Sequence, residues 1–406
     1  MRTSILLLSL LSVSFLMSCK KDADNTPKEP VIIELPEKGA AIIEAGNHFG
    51  VGLFSATATG NNENIMLSPM SASSALSMLL NGSRGETLSQ IAAMLGYGDM
   101  TPDEINQLYK TLSAQLLAAD PEVNLSLANA CFYRQGFEVK QEFLSTLQQE
   151  YNAEAQALDF YSPQALTTIN GWAADHTNNK ITKVLNEISP DAVMFLMNAL
   201  YFKGNWTYQF DKSLTSKQDF YPVGQGAVQV DMMRSKISYR QASGNDYTAV
   251  ELPYGRQNFA MVLLIPQNGI QEFLPGFTGD KWSEITGRLD DASLISNELS
   301  MPRFKFSYEK VLNDQLSALG MNDAFVPGLA NLTGIADADL FVSFVKQNTF
   351  VDVNEEGTEA AAVTTIGVEL TSLPETMLIN RPFIFAIRER TTNALLFMGK
   401  VEMPEY

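Results

Sequence analysis

Histidine is nearly absent. The 406 residues hold two, His48 and His176, so histidine-based acid–base chemistry and most zinc sites have almost nothing to build on. Cysteine is as scarce: Cys19 and Cys131 supply no disulfide framework. Positive charge is in deficit. Lys and Arg number 28 against 46 Asp and Glu, a net charge of −18, which repels phosphate backbones and speaks against a nucleic-acid partner. There is no G-x-S-x-G elbow, phosphate loop, G-x-G-x-x-G or H-E-x-x-H motif. His48 falls near the start of the first helical region and His176 in a polar stretch, and both read as surface residues. The chain is therefore read as no enzyme, with no cofactor and no metal. No internal repeat is visible, and no linker-like stretch follows residue 40. The remaining composition, 45% hydrophobic and 18% charged, is that of a globular protein and excludes a disordered chain or a coiled coil.

The first segment is an address. Arg2 gives the positive start, and Ile5 to Met17 form an apolar core broken only by serines. That core is short for a membrane span and reads as a removable export signal, 1–18. It ends in Leu16-Met17-Ser18-Cys19, which resembles the bacterial lipobox with Cys19 as the lipidated residue. Polar, proline-bearing residues follow, so 19–40 reads as a lipidated tether. The expectation is an exported lipoprotein anchored at an outer membrane, periplasmic or surface-exposed, touching the membrane only through its lipid.

Residues 41–406 read as one mixed α and β domain. Ser68-Pro69 sets a cap before a first-turn proline, and Ala72, Ala75, Leu76, Leu79 and Leu80 recur at helical spacing until Asn81-Gly82. Thr87 to Gln90 has the form of a capping box opening a second short helix, and Ile105, Leu108, Leu112 and Leu116 mark a third. Val123, Leu125, Leu127, Cys131 and Tyr133 share one face of a strand. The apolar runs 192–202 and 259–265 predict strands covered on both faces. The part from Phe341 to Val401 predicts mostly strand. Asn198 sits inside the first apolar run, where a buried amide needs partners.

The most informative segment is 355–374. Alternate residues Thr358, Ala360, Ala362, Thr364, Ile366, Val368 and Leu370 are uncharged and grow larger along the chain, while the charges of Glu359 and Glu369 fall on the other face. Alanine is a poor strand former and Gly357 lets the backbone bend. This suits a segment that sits outside a sheet and later enters a tight slot.

These residues carry a resemblance. Glu355-Glu356-Gly357-Thr358-Glu359-Ala360-Ala361-Ala362-Val363-Thr364 is similar to the hinge of the serpins, the serine protease inhibitor superfamily. Ile65 to Ser71, Asn198 to Trp206, Met301 to Phe304 and Arg381 to Lys400 resemble further motifs of that family in the same order. The resemblance implies an α+β serpin fold of three β-sheets with about eight or nine helices and an exposed reactive-centre loop. It implies that Ser68, Ser71 and Asn198 form the polar cluster that opens the central sheet, with Trp206 at the breach. Where the family usually has a histidine in that cluster, counting back from the hinge gives Gln347. Glutamine donates and accepts but does not titrate.

The same resemblance locates the reactive bond. Counting from the hinge and from the Arg381-Pro382-Phe383 segment both give Thr371–Ser372, with Leu370 as an alternative cleavage site. A small β-branched residue suits elastase-like or subtilisin-like serine proteases, Leu370 a chymotrypsin-like one, and cysteine proteases form a second class. The implied function is suicide inhibition: cleavage, a covalent acyl complex with the target protease, and insertion of 358–370, by a molecule expected to act as a monomer. A non-inhibitory binding or chaperone-like module is the alternative.

Overall fold

A computed structural model of the chain describes residues 29–359 and 376–406. In chain order its first half runs α1 (Gly39–Ala58), β1 (Ile65–Leu67), α2 (Pro69–Gly82), α3 (Gly85–Met94), α4 (Pro102–Ala118), β2 (Val123–Arg134), α5 (Gln141–Tyr151), β3 (Ala153–Leu158), α6 (Pro163–His176) and β4 (Met194–Asn205). The second half runs β5 (Ser216–Phe220), β6 (Val228–Ser243), β7 (Tyr247–Pro253), β8 (Phe259–Pro266), α7 (Ile270–Phe273), α8 (Gly279–Asp291), β9 (Ile295–Pro302), β10 (Phe304–Val311), α9 (Asn313–Ala318), β11 (Lys346–Asn354), β12 (Gly357–Thr358), β13 (Thr376–Leu378), β14 (Phe383–Glu389) and β15 (Leu395–Val401).

Local chemistry explains the helix starts. Ser68 caps α2: its hydroxyl accepts from the Ser71 amide, and Pro69 opens the first turn. The helix read from Thr87 begins two residues earlier, at Gly85, and Arg84 is its N-cap residue. The Thr87 hydroxyl instead accepts from the Asn331 amide at 2.9 Å. The true capping box is Thr101 with Glu104, opening α4. There Lys38 and the backbone of Thr101 bond the Glu104 carboxylate and pull it down to about 2.

Hydrogen bonding among the described residues joins the three expected sheets into two continuous paths. One has the order β1-β15-β14-β8-β7-β6-β9-β13, with β5 on β6; the other has the order β10-β11-β12-β4-β2-β3. The third sheet is joined to the first through β6, which pairs with β9 from Met232 to Tyr239 and with β7 from Arg240 to Ser243. In the larger sheet β8 and β14 are buried along their whole length. One face of this sheet packs under α1, α2 and α8. Its other face meets the inner face of the six-stranded sheet through Leu200, Phe202, Leu263, Phe385 and Val353. The outer face of the six-stranded sheet carries α6, whose Trp172 meets Phe132 edge-on at 6.1 Å.

The body starts earlier than residue 41. Asn258 exchanges two bonds with the backbone of Val31, at 2.8 and 2.7 Å. Ile33 is buried in the inter-sheet core, and its amide donates to Thr391. The tether expected over 19–40 thus gives way to docked chain at Val31. Cys19 lies outside the described residues. Cys131 is buried, which pushes its thiol up to about 12 and leaves it unreactive at neutral pH.

Candidate functional site: a gap in the six-stranded sheet

The strand β12 is two residues long and lies between β11 and β4. Thr358 pairs with Val353 on one side and Gly204 on the other, antiparallel to both. So β4 and β11 run parallel to each other, with an antiparallel strand begun between them. Below β12 no described strand fills the position. A cavity of about 440 Å³ lies there. Its long walls are 192–200 from β4 and its approach, and 338–349 from β11 and its approach. The helix α2 forms its floor and α6 lies over it. The lower half of β4 is half-buried for this reason, where the apolar run predicted burial on both faces.

The hinge residues are held hard at the top of this gap. Glu355 and Glu356 are buried. Arg303 donates to Glu355 through Nε at 2.8 and 3.0 Å and through Nη2 at 2.5 Å, and Thr215 donates to the same carboxylate. Lys212 pairs with Glu356. Trp206 joins the two parts. Its amide donates to the Glu356 carbonyl at 2.8 Å, its indole Nε1 to the Asn354 carbonyl at 2.9 Å, and its ring stacks on Tyr254 at 4.4 Å. The Thr358 hydroxyl lies 2.6 Å from the Tyr254 hydroxyl, on the core face. Burial pushes the Tyr254 phenol well up, so it stays protonated and able to donate.

Gly357 is required by this closeness. A Cβ there would lie 2.0 Å from the Gly204 carbonyl oxygen and 2.7 Å from the Asn205 Cα. Only a residue without a side chain lets the hinge approach β4 at that height.

The segment expected to wait outside the sheet therefore begins inside it, with Gly357 and Thr358 already paired. Glu359 is the last described residue before the gap in the description. Ala360, Ala361, Ala362, Val363, Thr364, Leu370, Thr371 and Ser372 lie outside the described residues.

The polar cluster divides into two halves across the cavity. On the β11 side, Gln347 donates to the Ser68 carbonyl at 2.7 Å and accepts from the Ser68 amide at 3.2 Å. The Ser68 hydroxyl donates to the Leu396 carbonyl and accepts from Ser71. On the β4 side, Asn198 donates to Asn129 at 2.7 Å and to Ser74 at 3.2 Å. Tyr109 completes that half by donating to Ser74 at 2.5 Å. The Asn198 Oδ1 is buried with no partner among the described residues, and so is the Trp172 Nε1. Both residues line the cavity.

Sequence reasoning missed Ser74, Asn129, Tyr109, Arg303 and Lys212. Two were legible. Ser74 follows Ser71 by three residues on one helix face. Asn129 interrupts the apolar face Leu127, Cys131 of β2, directly across from Asn198. Arg303 lay within the motif 301–304 but without a role, and Lys212 carried no local signal. Among the described residues no group of three or more metal-ligating side chains is found.

Residues 44–404 match the protein family described as serpin, serine protease inhibitor. The chain is 33% identical to a serpin-like protein of Methanosarcina mazei, over 100% of this chain and 99% of that one. Among solved structures it is similar to the thermophilic serpin tengpin in its native state, with a TM-score of 0.81 and 28% identity over 92% of this chain and 100% of that one. It is also similar to human thyroxine-binding globulin complexed with its hormone, with a TM-score of 0.82 and 27% identity over 91% of this chain and all of the other.

Proposed function

The chain belongs to the serpin family, and on that premise we propose that it inhibits serine proteases as a suicide substrate. The target cleaves Thr371–Ser372 and, while still acylated, is carried along as the loop enters the six-stranded sheet. The observation that carries this reading is β12: an antiparallel strand begun between two parallel ones, above a gap that no described strand fills.

The register supports it in detail. Continued downward from β12, it would set Ala362 between Leu200 and Thr349, Thr364 between Asn198 and Gln347, and Leu370 between Ala192 and Phe341. Those are the two walls of the cavity. Thr358 faces the core, so the same alternation turns Thr364 toward both amides. Its hydroxyl would then reach the Asn198 Oδ1, which has no partner among the described residues. Burying Ile366, Val368 and Leu370 would contribute roughly 5–8 kcal/mol. About ten strand hydrogen bonds would add on the order of 10 kcal/mol. These upper values are comparable to the roughly 5–15 kcal/mol that holds a protease together.

The same fold carries thyroxine in the human neighbour, so fold alone does not choose inhibition over binding. The loop sequence does: no charge or proline falls on the core-facing positions from Thr358 to Leu370. Thr371 ahead of the cut favours elastase-like or subtilisin-like targets, with Leu370 serving a chymotrypsin-like enzyme and cysteine proteases a second class. The protein acts as a monomer and reaches a membrane only through a lipid on Cys19, as an exported lipoprotein. Labelling with a radioactive fatty acid should mark the wild type and not Cys19→Ala.

The deciding experiment mixes the protein with an elastase-like protease. A complex stable in SDS is expected, with mass spectrometry placing the cut at Thr371–Ser372. The clipped protein should melt roughly 10 °C or more above the intact one. Clean cleavage with no complex and no rise in melting temperature would overturn the reading.

A further inference from the structure

The strand β12 stops after two residues although the gap continues below it, and the stop falls at Glu359. Its φ is 61°, in the left-handed region that residues with a Cβ avoid. Its amide still donates to the Asp352 carbonyl at 2.8 Å. The backbone therefore keeps its ladder bond and leaves the strand conformation at this residue.

The Glu359 side chain is held from outside the hinge. Its carboxylate lies 2.6 Å from the Lys180 ammonium, and its side chain is only 8% exposed. Lys180 follows α6, where two consecutive left-handed residues, Asn178 and Asn179 at φ 49° and 58°, turn the chain toward the hinge. The ammonium also sits 5.0 Å from the centre of the Phe350 ring. Tyr201 of β4 stands beside the pair, and its hydroxyl accepts from Asn178 at 3.2 Å. Burial first, and the Glu359 carboxylate second, push that phenol above its ordinary value. A strained backbone conformation is thus matched by a charged side chain delivered to Lys180.

We propose that the Lys180–Glu359 ion pair is a latch that holds the hinge at two inserted residues and sets the rate at which β12 lengthens. The proposal rests on the insertion reading above. An inserted Glu359 must take extended backbone. Without Lys180 the left-handed geometry loses its ion pair, and the extended form gains. Because Lys180 leaves α6, the helix lying over the gap, the latch also ties that helix to the hinge.

The test uses the full chain without any protease. Wild type, Lys180→Met, Glu359→Gln, the double variant and the charge swap Lys180→Glu with Glu359→Lys are held below their melting temperatures. Conversion to a higher-melting, non-inhibitory form is followed by native gel and a second melt. Each single variant should convert faster by roughly three- to ten-fold. The double variant should be no faster than the singles, and the swap should return toward wild type. Single variants at the wild-type rate, or additive effects, would overturn the latch. Should the singles not fold, Glu359→Gly keeps the left-handed turn without the carboxylate: faster conversion supports the latch and the wild-type rate overturns it. Wild type clipped in its loop separates the two readings. If it melts no higher than intact protein, insertion and latch fall together; if it melts higher while the variants keep the wild-type rate, the latch alone falls.

Discussion

The two sheets share one core and are finished differently. In the nine-stranded sheet, β8 and β14 pair with each other and with further neighbours, and every residue of both is buried. In the six-stranded sheet, β4 and β11 are paired along their outer edges with β2 and β10, while among the described residues their inner edges meet only the two residues of β12. Glu251 and Arg388, both fully buried in the nine-stranded sheet, pair with each other. Buried polar atoms without a partner among the described residues occur in both regions: the Tyr247 hydroxyl in the nine-stranded sheet, and Asn198 and Trp172 at the gap. The difference is that the last two line an open cavity, where a strand is proposed to arrive.

The sharpest break in this comparison is a change confined to the closed sheet. Arg388 donates to Glu251 at 2.9 and 2.6 Å and to Asp290 at 2.5 and 3.2 Å, and Arg390 donates to Glu251 at 2.9 Å. Glu251→Gln leaves Arg390 without its carboxylate and Arg388 with Asp290 alone, and should cost roughly 3–5 kcal/mol in urea unfolding. The loss should be equal in intact and clipped protein, because the gap is untouched. The pH dependence follows in sign. Burial raises the Glu251 pKa, but Arg388 and Arg390 outweigh it and hold the carboxylate below its ordinary 4.5. The unfolded chain therefore takes up the proton first. The stabilisation is complete at neutral pH and drains as pH falls through 4.5 and below. An acid titration of Glu251→Gln should lack that part of the fall.

A change confined to the gap should do the reverse. Thr358→Arg forces a charge into the buried contact with Tyr254 and would block the strand at its start. The stoichiometry of inhibition should rise well above that of wild type, with the protein cleaved as a substrate. An unchanged stoichiometry counts against insertion. Thr364→Val is the milder form. If Thr364 is the partner for Asn198, the intact protein should be unaffected and the stability gained on clipping should shrink by about 1–2 kcal/mol. Equal melting shifts for wild type and variant would remove Thr364 from that role.

What the sequence made legible divides along similar lines. Features written in contiguous residues were readable: the Ser68-Pro69 cap and the run of β8. Features assembled across the chain were not. Glu355 and Glu356 read as polar hinge residues, yet they are buried because Arg303, Lys212 and Thr215 reach them from other elements. Glu251 and Arg388 sit in otherwise apolar strands 137 residues apart, and nothing local joins them. The junction of the third sheet with the first was not legible either: β6, at 16 residues, is long enough to serve both. Thr87 has the spacing of a cap, but a competing partner, the Asn331 amide, takes its hydroxyl. Gln347 stands between these classes: its position came from counting back from the hinge, its contacts only from the fold.

That position gives the smallest expected effect. Gln347 bonds the backbone of Ser68 with both ends of its amide, and an amide holds no exchangeable charge between pH 5 and 8. Gln347→His puts a titrating ring against the same carbonyl and amide. The neutral ring serves a donor and an acceptor at once, whereas the protonated ring offers donors only. Protonation would therefore leave the Ser68 amide facing a second donor, in a site where Ser68 is buried. The variant should melt close to wild type at pH 8 and lose on the order of 1 kcal/mol by pH 5 relative to it. A melting difference that stays constant between pH 5 and pH 8 would mean that the ring does not take up Gln347's place between β11 and Ser68.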